Sequence, residues 1–325
     1  MDNAELAYLL GMIAGKGTII RANNQTTIII EIPHKNLISE GMDAKLSVKA
    51  SLDDIRNILE PLINVRIFST QEKQKTILKF EKNNQDFLVR ELNRHFGKLS
   101  SCKDFRIPEE IFNSPNDIKR KFMLGLGDVT AHIRSSNIAF HKKSDLYIYG
   151  HRTYIEIPVN WHMVVDIGNL LVSLDVPIHT IDWAHPNMRD SNLKQYNKGN
   201  KMFWYKEHQI KIFADEYEKI GFKIDHKMKA LKTLADKNRE GYDKDLNDKM
   251  NRTDSIKGKD KYKSMIGHVE KIHHKFYWET KTVKKIKPSH PMESSDKIPS
   301  EIRGMHFDSW KDICEALGYK RQINE

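Results

Sequence analysis

The 325-residue sequence predicts an α+β protein built from two αββαββα repeats with antiparallel sheets, followed by a small, mostly helical C-terminal appendage. Three observations predict it. "LLGMIAGKGTII" (9–20) and "IKRKFMLGLGDVTAHIRSS" (118–136) share a glycine-bearing helical pattern that passes into a strand-like run, with Gly11 on Gly125, Lys16 on Thr130 and Ile19 on Ile133. "TTIIIEIPHKN" (26–36) and "RTYIEIPVNW" (152–161) then match, placing Glu31-Ile32-Pro33 on Glu156-Ile157-Pro158. The same order of helical and alternating patterns follows each pair, as two copies of one supersecondary unit require.

The opening segment of each copy has apolar residues three and four apart, the signature of a helix face. β-branched residues and a hairpin follow; in the second copy the hairpin is longer and carries "NIAFHKKSDLYIYGH". "SLDDIRNILEPLI" and "NWHMVVDIGNLLVSL" return to helical spacing. The strand-like runs "VRIFST" with "KTILKFE", and "PIHTIDW" with "HQIKIFA", come next, each pair closed by a helix at "NNQDFLVRELNRHF" or "ADEYEKIGF". The first repeat therefore spans 1–113 and the second 114–238. Residues 239–265 alternate in charge with few apolar anchors and read as a solvated linker or frayed helix, and 266–325 form a small basic module.

Composition restricts the function. Lys and Arg number 54 against 44 Asp and Glu, a net charge of +10, which favours a polyanionic partner. No stretch approaches the roughly 18 apolar residues of a membrane span, and the N-terminus lacks the apolar core of a signal peptide. No membrane partner is expected, and the expected location is cytoplasmic, with the protein nucleoid-associated when bound to DNA. Cys102 and Cys314 form neither a CxxC pair nor a disulfide framework, as suits a reducing compartment. His268, His273, His274, His290, His306 and Cys314 do not make up a full zinc scheme of C-x-x-C with H-x3-5-H, so zinc is not expected.

Leu10, Gly11, Gly15 and Gly17 in the first copy, with Phe122, Leu124, Gly125 and Asp128 in the second, give the chain its resemblance to a known family. Over roughly residues 1–238 it resembles the LAGLIDADG homing endonucleases in their single-chain form. The resemblance implies two motif helices packed at an approximate twofold axis and two saddle-shaped sheets astride the major groove of double-stranded DNA. It also implies a metal-binding acid at the end of each motif helix, with magnesium or manganese as cofactor. Here those positions are Lys16 and Thr130, which cannot replace carboxylates around a hard divalent cation. Asp128 aligns with an earlier, mainly structural acid of the motif.

A replacement centre is available on the returning strands. Alternation turns Ile30, Ile32, Ile155 and Ile157 to the core and Glu31 and Glu156 to the opposite face. The candidate catalytic set is Glu31, Glu156, Lys16, Lys35 and Asp128, with Glu31 and Glu156 as the metal ligands. Lys35 stands four residues after Glu31, as a basic residue assisting the attacking water does in the family; the matching position of the second copy is Asn160. A glutamate–Lys16 salt bridge that plugs a dead centre is the alternative.

Candidate DNA contacts in the first copy are Arg21, Gln25 and Lys75. In the second they are His132, Arg134, Ser136, Lys142, Lys143 and Arg152 on the first hairpin, with Arg189 and Lys194 in the long polar segment 184–209. Arg and Lys serve guanine edges or phosphates, and Asn and Gln serve adenine. "HFDSWKDICEALGYKR" (306–321) is similar to the opening helix of helix-turn-helix modules that accompany homing-endonuclease domains. Three functions stay open: a site-specific DNA endonuclease of restriction or homing type, a catalytically inactive DNA-binding regulator, and an RNA-binding intron maturase. Both halves lying in one chain, a monomer is expected.

Overall fold

The structure, a computed structural model, describes residues 3–135, 151–158, 160–178, 180–186 and 206–251. Helix α1 (Ala4–Lys16) starts where the Asn3 side chain accepts from the Leu6 amide at 2.8 Å, and every residue from Leu6 to Lys16 is buried. A helix apolar all round belongs inside a protein. It gives way at Gly17 to β1 (Gly17–Arg21), which turns back into β2 (Gln25–Pro33). A single turn, α2 (His34–Leu37), leads to α3 (Ala44–Ile63), capped by Asp43. Strands β3 (Phe68–Gln71) and β4 (Lys75–Asn83) and helix α4 (Phe87–Phe96) complete the first repeat.

The second repeat follows the short α5 (Glu109–Phe112). It runs α6 (Asn116–Thr130), β5 (Ala131–Arg134), β6 (Arg152–Pro158), α7 (Trp161–Ser173), β7 (Thr180–Pro186), β8 (Lys206–Phe213) and α8 (Ala214–Tyr217). Each repeat makes one antiparallel four-stranded sheet, and the strand orders correspond: β1-β2-β4-β3 and β5-β6-β8-β7. Register makes the equivalence residue by residue. Gly17 faces Ile30 in the first sheet as Ala131 faces Ile155 in the second, so Glu31 and Glu156 occupy matching positions. The expected α+β architecture of two like halves is the one observed.

The halves meet along α1 and α6, whose approach is set by glycine. A Cβ built on Gly11 would lie 2.0 Å from the Phe122 carbonyl oxygen, and one on Gly125 would lie 1.9 Å from that of Tyr8. Each glycine thus meets the carbonyl three residues before the other glycine, a reciprocal contact of the kind a twofold axis produces. Leu9, Leu10 and Ile13 from α1 and Phe122, Leu126 and Val129 from α6 join one continuous core.

A last helix, α9 (Asp225–Asn251), runs unbroken across the 238/239 position at which the sequence divides repeat from linker. It ties both halves together. His226 reaches Ser51 and the Leu37 carbonyl in the first half, and Asn238 bonds the His151 amide and carbonyl in the second. The module 266–325 and its helix-turn-helix-like segment lie outside the described residues, as does the part of the linker beyond Asn251.

Gly125→Ala should destabilise the chain by about 3 kcal/mol or more, above the usual overpacking range, because the obstacle is backbone and cannot rotate away. Urea denaturation of the variant beside the wild type measures the loss.

Candidate nucleic-acid interface

The ends of α1 and α6 bring Lys16 and Thr130 to the centre of the molecule. Lys16 is 7 % exposed and sits in the last helical turn, where a cation complements the helix dipole. Its charge also bears on Cys102, whose thiol burial pushes up and Lys16 draws partly back. Thr130 is fully buried and donates its hydroxyl to the Leu126 carbonyl at 2.6 Å, within its own helix.

Glu31 and Glu156, though equivalent in register, live in different environments. Glu31 is half exposed and is bound by Lys75 at 3.0 Å on the neighbouring strand. Glu156 is 2 % exposed; one carboxylate oxygen lies 2.7 Å from Lys35 Nζ, the other accepts from Gln209 Nε2 at 2.9 Å, and His132 Nδ1 stands 3.8 Å away. Lys35, expected beside the attacking water of its own half, meets Glu156 of the other half. The turn α2 packs over α6 and β5, so Lys35 crosses to the second half, and Asn36 beside it donates to the Val129 carbonyl at 3.0 Å. Lys35 and Glu156 thus form an ion pair between the two halves.

This donor set does not fit a divalent metal. The helix-end positions offer an ammonium and an internally bonded hydroxyl, Glu156 has its two oxygens on Lys35 and Gln209, and Glu31 is held by Lys75. Magnesium and manganese want several hard oxygen ligands converging on one point. Among the described residues no three His, Cys, Asp or Glu side chains are grouped to hold a metal ion.

Asp128, named in the candidate catalytic set, lies at the junction of the two halves. It is fully buried, accepts the Tyr8 hydroxyl at 2.7 Å and the Lys223 and Ile224 amides at 3.3 and 3.5 Å, and thereby joins α1, α6 and the start of α9. Lys227, also fully buried, donates to the carbonyls of Gly127, Asp128 and Ala131 at 3.3, 3.0 and 2.8 Å, satisfying orphan acceptors at the end of α6. Burial lifts the Asp128 carboxyl to about 6, against the opposing pull of Lys227, and lowers the Lys227 ammonium to about 7, against that of Asp128.

The groove-side candidates divide. Arg21, partly exposed, donates from its guanidinium to Asn93 Oδ1 and to the Leu99 and Gly97 carbonyls at 2.9, 2.9 and 2.7 Å, at the end of α4. Lys75 belongs to Glu31. Gln25 is exposed at the start of β2. His132 is buried and stacks on Tyr154 at 5.2 Å, so it serves the sheet. Arg134 and Arg152 remain partly exposed on the open face of the second sheet, over the rings of Tyr154 and Phe213 at 5.5 and 5.3 Å. Ser136, Lys142, Lys143, Arg189 and Lys194 lie outside the described residues.

Sequence inspection missed Tyr154, Lys211 and Gln209 as residues of that face, although alternation from the isoleucines of β6 and β8 places them there. It also missed Lys227, which is indistinguishable in sequence from its solvated neighbours on a charged helix. No helix among the described residues is long and apolar enough to cross a membrane.

Solved structures of similar shape include a mesophilic variant of the homing endonuclease I-DmoI, 16 % identical over 69 % of this chain and 95 % of that one, with a TM-score of 0.34. I-DmoI in complex with DNA and calcium is 14 % identical over 66 % and 86 % of the two chains, TM-score 0.34. The LAGLIDADG meganuclease I-AabMI bound to uncleaved DNA is 12 % identical over 82 % and 97 %, TM-score 0.37. No protein-family model matches the chain, and no curated protein matches its sequence. At such low identity and overlap, only the chain's own residues can decide what its surface does.

Two outcomes are expected from this centre. Lys35→Ala strands Glu156 without its cation and should cost about 3 kcal/mol, whereas Lys35→Met with Glu156→Leu removes both charges and should recover most of that loss; chemical denaturation of the three proteins measures it. For Asp128 the folded value lies above the unfolded one, so its contribution to stability rises as pH falls from about 6 towards 4. Relative to Asp128→Asn, the wild type should gain stability over that window in a paired denaturation series.

Proposed function

We propose that the protein is a monomeric duplex-DNA-binding protein of LAGLIDADG-like design, in which the central position has become a structural ion pair and no longer serves phosphodiester cleavage. One observation carries the binding half of this proposal: one face of the second sheet carries Arg134, Arg152 and Lys211 over the rings of Tyr154 and Phe213. Cationic and aromatic side chains side by side are the groups that meet phosphates and stack on bases. The net charge of +10 supports it at long range.

The non-cleaving half rests on donor chemistry. Phosphodiester hydrolysis by two metals needs anionic ligands around the scissile phosphate, and the residues at the centre are Lys16, Thr130 and a Glu156 neutralised by Lys35. Glu156 serves instead to hold α2 and β6 together through Lys35, and it needs neither metal nor DNA to do so. With both halves in one chain, the protein binds without dimerising and acts inside the cell, where its DNA is.

Titrating a mixed-sequence duplex with salt should give binding that weakens steeply and linearly on a log–log plot. Incubating the same duplex with magnesium or manganese should leave both strands intact on a denaturing gel. Cleavage would restore the endonuclease alternative, and tighter binding to folded intron RNA than to duplex would restore the maturase one. Light scattering should return the mass of one chain.

A further inference from the structure

We propose that the outer face of the first sheet reads the 5-methyl groups of thymine, with Ile20, Ile29 and Ile77 as specificity-determining residues; the inference rests on the DNA-binding function proposed above. Register places these three side chains on one diagonal. Ile20 on β1 faces Thr27 on β2. Ile29 stands two residues further along β2 and faces Lys79 on β4, and Ile77 stands one step further still, level with Glu31. Alternation turns all three away from the core, which takes Ile19, Ile28, Ile30 and Leu78 instead. Ile20 is 50 % exposed, and Ile29 and Ile77 are half-buried. Thr18, beside Ile29, and Thr70, beside Ile77, add two more methyl groups.

The solvated face of an antiparallel sheet is ordinarily polar, so a diagonal of isoleucines on one calls for a cover, and the charges beside it decide which. Lys79 is bound to Glu81 at 2.8 Å on one side of the diagonal, and Lys75 to Glu31 at 3.0 Å on the other, all four side chains at least one-third exposed. Lysine and glutamate are depleted from the centres of protein–protein interfaces, which makes a second copy of the chain a poor cover. Base-pair edges are a good one. The major groove sets amino donors and carbonyl acceptors beside thymine methyls, and cations, carboxylates and apolar groups are the side chains that match them. Spacing agrees, since diagonal neighbours across a sheet stand roughly 7–8 Å apart, close to two base steps of about 3.4 Å each. The face also adjoins the one that carries Tyr154: Lys35, two residues beyond the end of β2, meets Glu156, which follows Tyr154 on the same side of β6.

The test uses the full chain and duplexes selected by it from a random-sequence pool. Selected sites should carry thymines at alternate positions. Replacing these one at a time by uracil, which deletes only the methyl, should weaken binding about fourfold at each contacted base. Ile29→Ala with Ile77→Ala should bind thymine and uracil duplexes alike at those positions, whereas Ile29→Val should keep discriminating. Ile20→Ala, on the most exposed of the three, should abolish the effect at one thymine, so the comparison survives if the double variant melts early. A wild type that binds duplex but ignores uracil, or alanine variants that discriminate as the wild type does, would overturn methyl reading and leave DNA binding standing. So would a dimer in light scattering that Ile20→Asp dissociates, which makes a second copy the cover, or a lowered melting temperature of Ile20→Ala with unchanged discrimination, which makes the chain its own cover. A wild type that binds no duplex overturns the DNA-binding function, and this inference with it.

Discussion

Two helix backbones can touch only where no side chain stands between them, and α1 and α6 touch at Gly11 and Gly125. Everything central to the molecule is positioned by that crossing. It brings Tyr8 onto Asp128, sets the ends of both helices side by side, and lets α2 of one half reach β6 of the other. Carbonyl oxygens facing glycine Cα groups at this range are a recurrent feature of close helix pairs. Any Cβ at either site separates the helices and, with them, both sheets.

Around the crossing, the polar groups that helix ends leave unsatisfied have been answered by side chains from distant parts of the chain. Lys227 completes the end of α6, Arg21 completes the end of α4, and Asn160 both caps α7 and binds the carbonyls of Cys102 and Phe105 in the connection between repeats. That connection is fixed further by Arg106, whose guanidinium forks onto buried Asp166 at 2.6 and 2.8 Å. Charged residues that look solvated in a linear reading are here part of the interior, where burial without a partner is costly.

This explains which features could be read from the sequence. The repeat, its element order and the equivalence of Glu31 with Glu156 follow from local spacing, and local spacing survives folding; the packing of the two glycine-bearing helices is an implication of the family resemblance. The destination of Lys35 does not. Four residues after Glu31 it is positioned to help its own half, and only the insertion of α2, with no counterpart before Asn160, carries it across. The partners of Arg21 are not legible for a related reason: nothing local to a hairpin tip shows that the carbonyls at the end of α4 lie against it. Lys227 and the true length of α9 were hidden because a charged helix gives no sign of which of its lysines turns inward.

The Lys35–Glu156 pair runs in one direction only: the residue of the second half that matches Lys35 is Asn160, which binds the Cys102 and Phe105 carbonyls, and Glu31 is answered by Lys75. The halves have therefore ceased to be interchangeable. Two copies of the second half, docked glycine to glycine, would bury Glu156 twice with an amide where the ammonium belongs. The first half carries the matching cation and is the part that leaves the ribosome first, so the later half emerges beside the partner that neutralises it. One charge on the first half thereby fixes which half can stand opposite the second.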